Sequence, residues 1–201
     1  MTADPRGPWS GPAWLVRHAS TAWTGSRWLG NRDLPLTAAG RSEAAAAADR
    51  LATVVPPGTA VVSSPAKRAV ETAGAIAERL GVPTRVDPDL REVDVGSAEG
   101  LTWDEVQDEL PGLADALIAG RRVDWPAGES ADAVRSRLGR AWARVAARND
   151  PVVVVTHAGV IAGIIGDLVP GTTPAWIGPA AAVCVRRASG VWQIEPAAAR
   201  P

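Results

Sequence analysis

The run PVVVVT at residues 151 to 156 restricts the fold of this chain more than any other stretch. It is apolar without alternation, so it does not suit a strand with one wet face, and Pro151 and the polar residues that follow bound it at strand length. The segment fits a strand buried on both faces of a parallel sheet. A second apolar run, AWLV at residues 13 to 16, behaves the same way and leads into Arg17 and His18. The chain's only other histidine, His157, directly follows PVVVVT.

Helical patterns alternate with these runs. LTAAGRSEAAAAADRLATV is Ala-rich, with Thr37 placed to cap it. TAVVSS reads as a strand, PAKRAVETAGAIAERLG as a helix opening at Pro65 and closing at Gly81, and TRVD as a short strand. TWDEVQDEL and GLADALIAG suit two short helices, ESADAVRSRLGRAWARVAARN a long amphipathic one, and GVIAGIIGDLV another. AAVCVRR and VWQIE around ASG suit a terminal hairpin. The expected architecture is an α/β/α three-layer sandwich with a mostly parallel central sheet and a small helical cap over the carboxyl edge. One domain over residues 13–195 is expected, with cap elements at about 20–34 and 101–129 and flexible tails over 1–12 and 196–201.

Bulk properties exclude several functions. At 201 residues, 46% hydrophobic and 21% charged, the chain can bury one substantial core. A formal net charge of -1 lacks the basic excess of nucleic-acid binders, so any cationic site is local. The single cysteine, Cys184, forms no internal disulfide and suits a reducing, cytoplasmic setting. MTADPRGPWSGP does not read as a signal peptide, and no apolar run reaches membrane-span length. The aromatic inventory is unusual: nine tryptophans and no Phe or Tyr.

Ligands of such sheets bind beyond the carboxyl ends of the strands, where both histidines fall. A lone histidine there more often caps a strand, but two equivalent placements favour a shared site. A two-histidine metal site is opposed by Arg17, a fixed positive charge beside His18, and by the lack of an accompanying carboxylate cluster. Arginine beside histidine suits an oxyanion. Arg17 and His18 point to opposite faces of a regular strand, so sharing a pocket requires a bend after Arg17. Arg68, in the first turn of a helix that follows a strand, is a second candidate anion clamp, while neighbouring Lys67 reads as surface charge. A neutral imidazole can attack phosphorus, and cations can stabilise the equatorial oxygens. The proton donor should be a carboxylic acid with a raised pKa. Glu92, Asp94 and Glu99 in DLREVDVGSAEGLT are all candidates, and spacing does not choose among them.

With these residues assembled, the chain resembles the histidine phosphatase superfamily, the phosphoglycerate mutase-like proteins. LVRHAST is similar to the Arg-His-Gly signature, RDLPLTAAGRSEA to the Asp-x-Pro-Leu-Thr-x-x-Gly segment, and SSPAKRAVETA to the Ser-Ser-x-x-x-Arg-Ala-x-x-Thr helix start. LREVDVGSAEGLT is similar to the acid-bearing segment, PAGES to Pro-x-Gly-Glu-Ser, and VVVVTHAGVI to the second-histidine strand. Six segments in the right order make the likeness specific. The resemblance implies that His18 is the nucleophile, that Arg17, Arg68 and His157 bind and polarise the phosphoryl group, and that Glu92 is the general acid. It implies neither a metal nor an organic cofactor.

The rim departs from the family pattern. Ala19 stands for the common Gly, Ser20 for a frequent Glu, and Thr24 for an Asn that contacts phosphate in many members. The expected activity is hydrolysis of a small phosphorylated metabolite, with Ser20, Thr24, Arg27 and Trp28 as rim contacts. The stretch from Val93 to Trp125 is short against the insertion of the mutases, which favours a phosphatase over a phosphoglycerate-type mutase. Retention of His18 and Glu92 weighs against a non-catalytic phosphate binder, and the apparent cap at 101–129 against a phosphohistidine protein phosphatase. Trp23, Trp28, Trp103 and Trp125 fall in or near the cap and suit either a stacking pocket, with a ring-bearing substrate, or partly buried scaffold. Arg121 and Arg122 read first as solvated charge. Monomer and homodimer are equally compatible with the sequence.

Overall fold

The buried face of each strand sets the layers of this protein, whose computed structural model describes residues 11–148, 150–172 and 177–196. Among these residues, strands β1 (Ala13–Arg17), β2 (Ala60–Ser63), β3 (Thr84–Val86), β4 (Val152–Thr156), β5 (Ala182–Ala188) and β6 (Val191–Pro196) form one sheet in the order β3-β2-β4-β1-β5-β6. Pairings among β3, β2, β4 and β1 are parallel; β5 and β6 join antiparallel at the β1 side. The tails expected at 1–12 and 196–201 lie largely outside the described residues, and β6 extends through Pro196.

Strand alternation divides the core in two. Leu15, Val152 and Val154 pack with Leu138, Trp142, Ile161 and Ile165 from α5 (Ala131–Ala146) and α6 (Ala158–Leu168). Val16, Val153 and Val155 pack with Ala48, Leu51, Ala73 and Ile76 from α1 (Ala38–Ala52) and α2 (Lys67–Leu80) on the other face. All five residues of β4 are buried, which explains the absence of alternation in PVVVVT.

Most element ends follow local chemistry. Thr37 caps α1 through its side chain, Gly81 ends α2 in the left-handed region, and Ser130 caps α5. Ser189 and Gly190, both at positive φ, make the two-residue turn between β5 and β6. The expectation that Pro65 opens α2 needs correction: the helix begins at Lys67 with Ala66 as its cap. The turn before it bends around Ser64, whose hydroxyl accepts from the Ala66 amide.

The cap is built from α3 (Trp103–Glu109) and α4 (Pro111–Ile118), with two short 3-10 turns (Pro88–Leu90, Gly96–Ala98) in the acid-bearing segment before them. Thr102 and Glu105 close a capping box on α3. Val95, Ala98, Val106, Leu113 and Ala114 form the cap's own small core, against which Trp28 and Trp125 pack.

One glycine couples a helix to the loop after β1. A Cβ on Gly40 would lie 2.1 Å from the Ser20 carbonyl oxygen, a backbone atom. Replacing glycine by alanine in a helix gains about 1 kcal/mol of propensity at most, less than relieving that overlap costs. Gly40→Ala is therefore expected to lower the melting temperature; an unchanged or raised value would show that α1 and the loop do not meet this closely.

Candidate active site

Parallel pairing brings the two histidines together. In the β1/β4 register Arg17 faces Thr156, and the His18 amide donates to the Thr156 carbonyl at 2.8 Å. The next residue on each strand is a histidine, and the two rings stand 5.1 Å apart, edge to face. Past Arg17 the chain leaves the sheet, so Arg17 and His18 line the same cavity, as the expected bend requires.

Hydrogen bonds select the ring nitrogens. His18 Nδ1 lies 2.8 Å from the Ala19 carbonyl, which only accepts, so Nδ1 carries the proton and Nε2 keeps the lone pair. Burial, then the charges of Arg68 and Arg17, lower the His18 pKa to about 3 against the opposing Ala19 bond. The imidazole is neutral at physiological pH. His157 Nε2 pairs with the Ser64 hydroxyl at 2.7 Å, and Nδ1 is buried without a partner. Burial and the neighbouring His18, Arg68, Arg137 and Arg17 hold its pKa well below the ordinary value.

The cationic groups are fixed by backbone oxygens. Arg17 Nη1 donates to Ile177 O at 2.9 Å. Arg68, almost wholly buried, donates from Nη1 to Arg32 O and from Nη2 to Gly30 O, both at 2.8 Å, and its Nε has no partner. The Glu99 carboxylate in turn accepts from the amides of Gly30, Asn31 and Arg32. The loop that holds Arg68 is thus itself held by an acid. Burial lowers the pKa of both guanidinium groups, partly offset by the charge of Glu92.

A cavity of about 370 Å³ opens above His18. Arg17, His18 and Glu92 lie at its base, and Thr24, Arg27 and Trp28 along its walls. Arg68 and His157 are not on its surface; they are buried against His18, close enough to depress its pKa or touch its ring. Ser20 lies elsewhere than expected. Its amide and hydroxyl both bond Glu43, at 2.8 and 2.9 Å, and it does not line the cavity. The frequent family Glu at this position is replaced by a serine that binds a Glu from α1. Arg122 pairs with Asp167 on α6, while Arg121 and Lys67 are exposed.

The three candidate acids separate cleanly. Asp94 accepts from the Gly96 amide, and Glu99 holds residues 30–32. Only Glu92 of the three lines the cavity. It accepts from the Val93 amide at 2.9 Å and from the Gly159 amide at the start of α6, and a Cβ on Gly159 would fall 2.7 Å from Glu92 Oε1. Burial raises the Glu92 pKa against these bonds and against Arg68 and Arg17. Among the described residues, no group of three or more His, Cys, Asp or Glu side chains is arranged to hold a metal ion.

Residues 13–196 match the family described as histidine phosphatase superfamily, branch 1. The chain belongs to this superfamily. It is similar to a glucosyl-3-phosphoglycerate phosphatase of Mycolicibacterium vanbaalenii, 36% identical over 164 residues that cover 77% of this chain and 72% of that protein. It is also similar to a metal-independent phosphoserine phosphatase of Arabidopsis thaliana, 36% identical over 156 residues, 75% of this chain and 65% of that one. The chain thus matches about two thirds of the length of these relatives. Among solved structures, the native mycobacterial glucosyl-3-phosphoglycerate phosphatase superposes with a TM-score of 0.79 at 29% identity, covering 93% of this chain and 98% of that one.

In this member of the superfamily the acid segment is held by a residue outside the quoted motifs. Arg137 on α5 is buried and donates to Glu129 from Nε and Nη2 at 3.0 and 2.7 Å, and from Nη1 to Asp89 O and Arg91 O. Glu129, from PAGES, also accepts from Arg91 and from the Asp94 amide. The clamp encloses Glu92 on both sides. Its signal was present in the sequence: Arg137 shares the i, i+4, i+8 stripe with Ala141 and Val145, the buried face of α5.

The raised Glu92 pKa has a thermodynamic consequence. Between its unfolded and folded pKa values the native state holds a proton that the unfolded chain has released, so stability falls as pH rises through that window. Above it the full cost remains. Glu92→Gln is expected to raise the melting temperature at pH 8 and to leave it nearly unchanged at pH 4. A mutant less stable at pH 8 would show that the carboxylate is favoured where it lies.

Proposed function

We propose that this chain is a metal-independent phosphomonoesterase working through a phosphohistidine on His18. One observation carries the reading: a neutral imidazole with its lone pair on Nε2 shares the base of a cavity with a guanidinium and with a carboxyl group whose pKa is raised. The names of the relatives, two phosphatases among them, support the same chemistry.

In the first step His18 Nε2 attacks phosphorus in line with the ester oxygen. The P–N bond forms as the P–O bond breaks, and neutral Glu92 gives its proton to the departing alkoxide. Arg17, at the base, stabilises the equatorial oxygens, and the charge of Arg68 and the ring of His157 act on them from behind His18. In the second step the Glu92 carboxylate takes a proton from water, whose oxygen attacks phosphorus. The P–N bond breaks as this P–O bond forms, its electron pair returns to Nε2, inorganic phosphate leaves, and His18 is again neutral. The Ala19 carbonyl steadies the positive charge that the His18 ring carries meanwhile.

Thr24 Oγ1 is bonded by the Thr21 amide, so Thr24 stiffens the rim and offers the substrate little. The short Val93 to Trp125 stretch supports hydrolysis over phosphate return to a second alcohol. The same reading takes residues 13–195 as one domain acting on small substrates without nucleic acid, as monomer or homodimer, in the cytoplasm. Among the described residues no helix is long and apolar enough to cross a membrane.

His18→Ala is expected to abolish release of inorganic phosphate from a generic aryl phosphate. Glu92→Gln should slow turnover by about 10²–10⁴-fold and let an acid-labile phosphoenzyme accumulate after rapid quenching. Full activity in the first variant would refute the assignment.

A further inference from the structure

The walls of the cavity differ in character from its base. Four tryptophans, Trp23, Trp28, Trp103 and Trp125, line it. Trp28 is the hub, with its ring centroid 5.3 Å from that of Trp125 and 6.2 Å from that of Trp103. Trp28 and Trp125 are backed by the cap's apolar core. Trp23 is covered from behind by the Arg32 guanidinium, 4.9 Å from its ring centroid, and by Gly100, where a Cβ would lie 3.3 Å from the ring. These rings are braced rather than loose. Trp103, at the start of α3, remains 37% exposed and edges the opening.

The polar side chains of the wall are already committed. Thr24 Oγ1 takes the Thr21 amide, Ser26 Oγ donates to Trp23 O at 3.2 Å, and Arg27 Nη1 donates to Gly100 O. Arg27 also pairs with Glu105 at 3.4 Å, so its charge is balanced in place. Among the described residues that line the cavity above its base, the one cation is Arg27, and its charge already faces Glu105. A substrate bearing a carboxylate beyond its phosphate would lose hydration there without a charged partner in return. A flat ring would gain apolar contact and stacking on several faces.

We propose that the cavity selects phosphate monoesters of alcohols bearing an aromatic ring, and disfavours those whose alcohol carries a carboxylate. The inference rests on the phosphomonoesterase reading for its turnover assay. The relatives compared above are named for glucosyl-3-phosphoglycerate and phosphoserine, so the proposal gives this chain a different substrate class from theirs. A volume of about 370 Å³ suits a group of one or two rings.

The test compares phosphate release from benzyl and 2-naphthylmethyl phosphate with release from ethyl phosphate, phosphoserine and 3-phosphoglycerate. All are esters of alkyl alcohols, which limits differences in leaving-group chemistry. The ring esters should show kcat/KM at least about tenfold higher, the equivalent of one or two ring contacts. Trp103→Ala should shrink the ratio of ring ester to ethyl phosphate, and Trp103→Phe should restore most of it, an outcome that a merely structural tryptophan would not produce. Equal or greater activity on phosphoserine or 3-phosphoglycerate would overturn the proposal. If no ester is hydrolysed, the catalytic reading falls alone. Tryptophan fluorescence titration with benzylphosphonate and ethylphosphonate then decides: tighter binding of the benzyl compound upholds the ring preference, and equal binding removes it.

Discussion

Register pairing between β1 and β4 is the constraint on which the site depends. Because Arg17 lies opposite Thr156, the residue after each strand emerges at the same level, and both are histidines. Neither strand can slip by one residue without turning its valines and leucine from one core to the other. The hydrophobic cores on the two faces of the sheet therefore hold the two histidines side by side. Local loop structure then settles which atoms point where.

What the sheet brings together is electrostatically unbalanced. Two arginines, each fixed by backbone oxygens, are buried beside two histidines whose pKa values they help to depress. Burial of cations costs stability unless something answers them. The charges of Glu92 and Glu43 act on Arg17 and those of Glu92, Asp33 and Glu99 on Arg68, while burial favours the protonated form of Glu92. On the proposed reading a phosphoryl dianion complements the base of the cavity, and neutral His18 acts as the nucleophile.

The fold was largely readable because its signals are local and periodic. PVVVVT, the Thr37 cap, the Gly81 terminus and the amphipathic stripe of α5 each state their structure within a few residues. The site was readable in part. His18 and His157 declared themselves by equivalent placement, but the choice of Glu92 over Asp94 and Glu99 came from family likeness; here neither of the other two acids lines the cavity. Contacts between a side chain and a distant backbone group leave no periodic trace. That is why the Ser20 pairing with Glu43 and the Glu99 brace emerge only in three dimensions, while Arg137 shows in the sequence as a member of the buried stripe of α5 but without its partners.

The central claim is that His18 is held neutral, with its proton on Nδ1, before any substrate arrives. Because the chain has only two histidines, nitrogen NMR of protein labelled with ¹⁵N-histidine can read each ring separately across pH. The account predicts that His18 shows the Nδ1–H tautomer from pH 8 down to pH 5 with no titration near the ordinary histidine pKa of about 6.5. A His18 ring that becomes doubly protonated around that pH, or that carries its proton on Nε2, would contradict it.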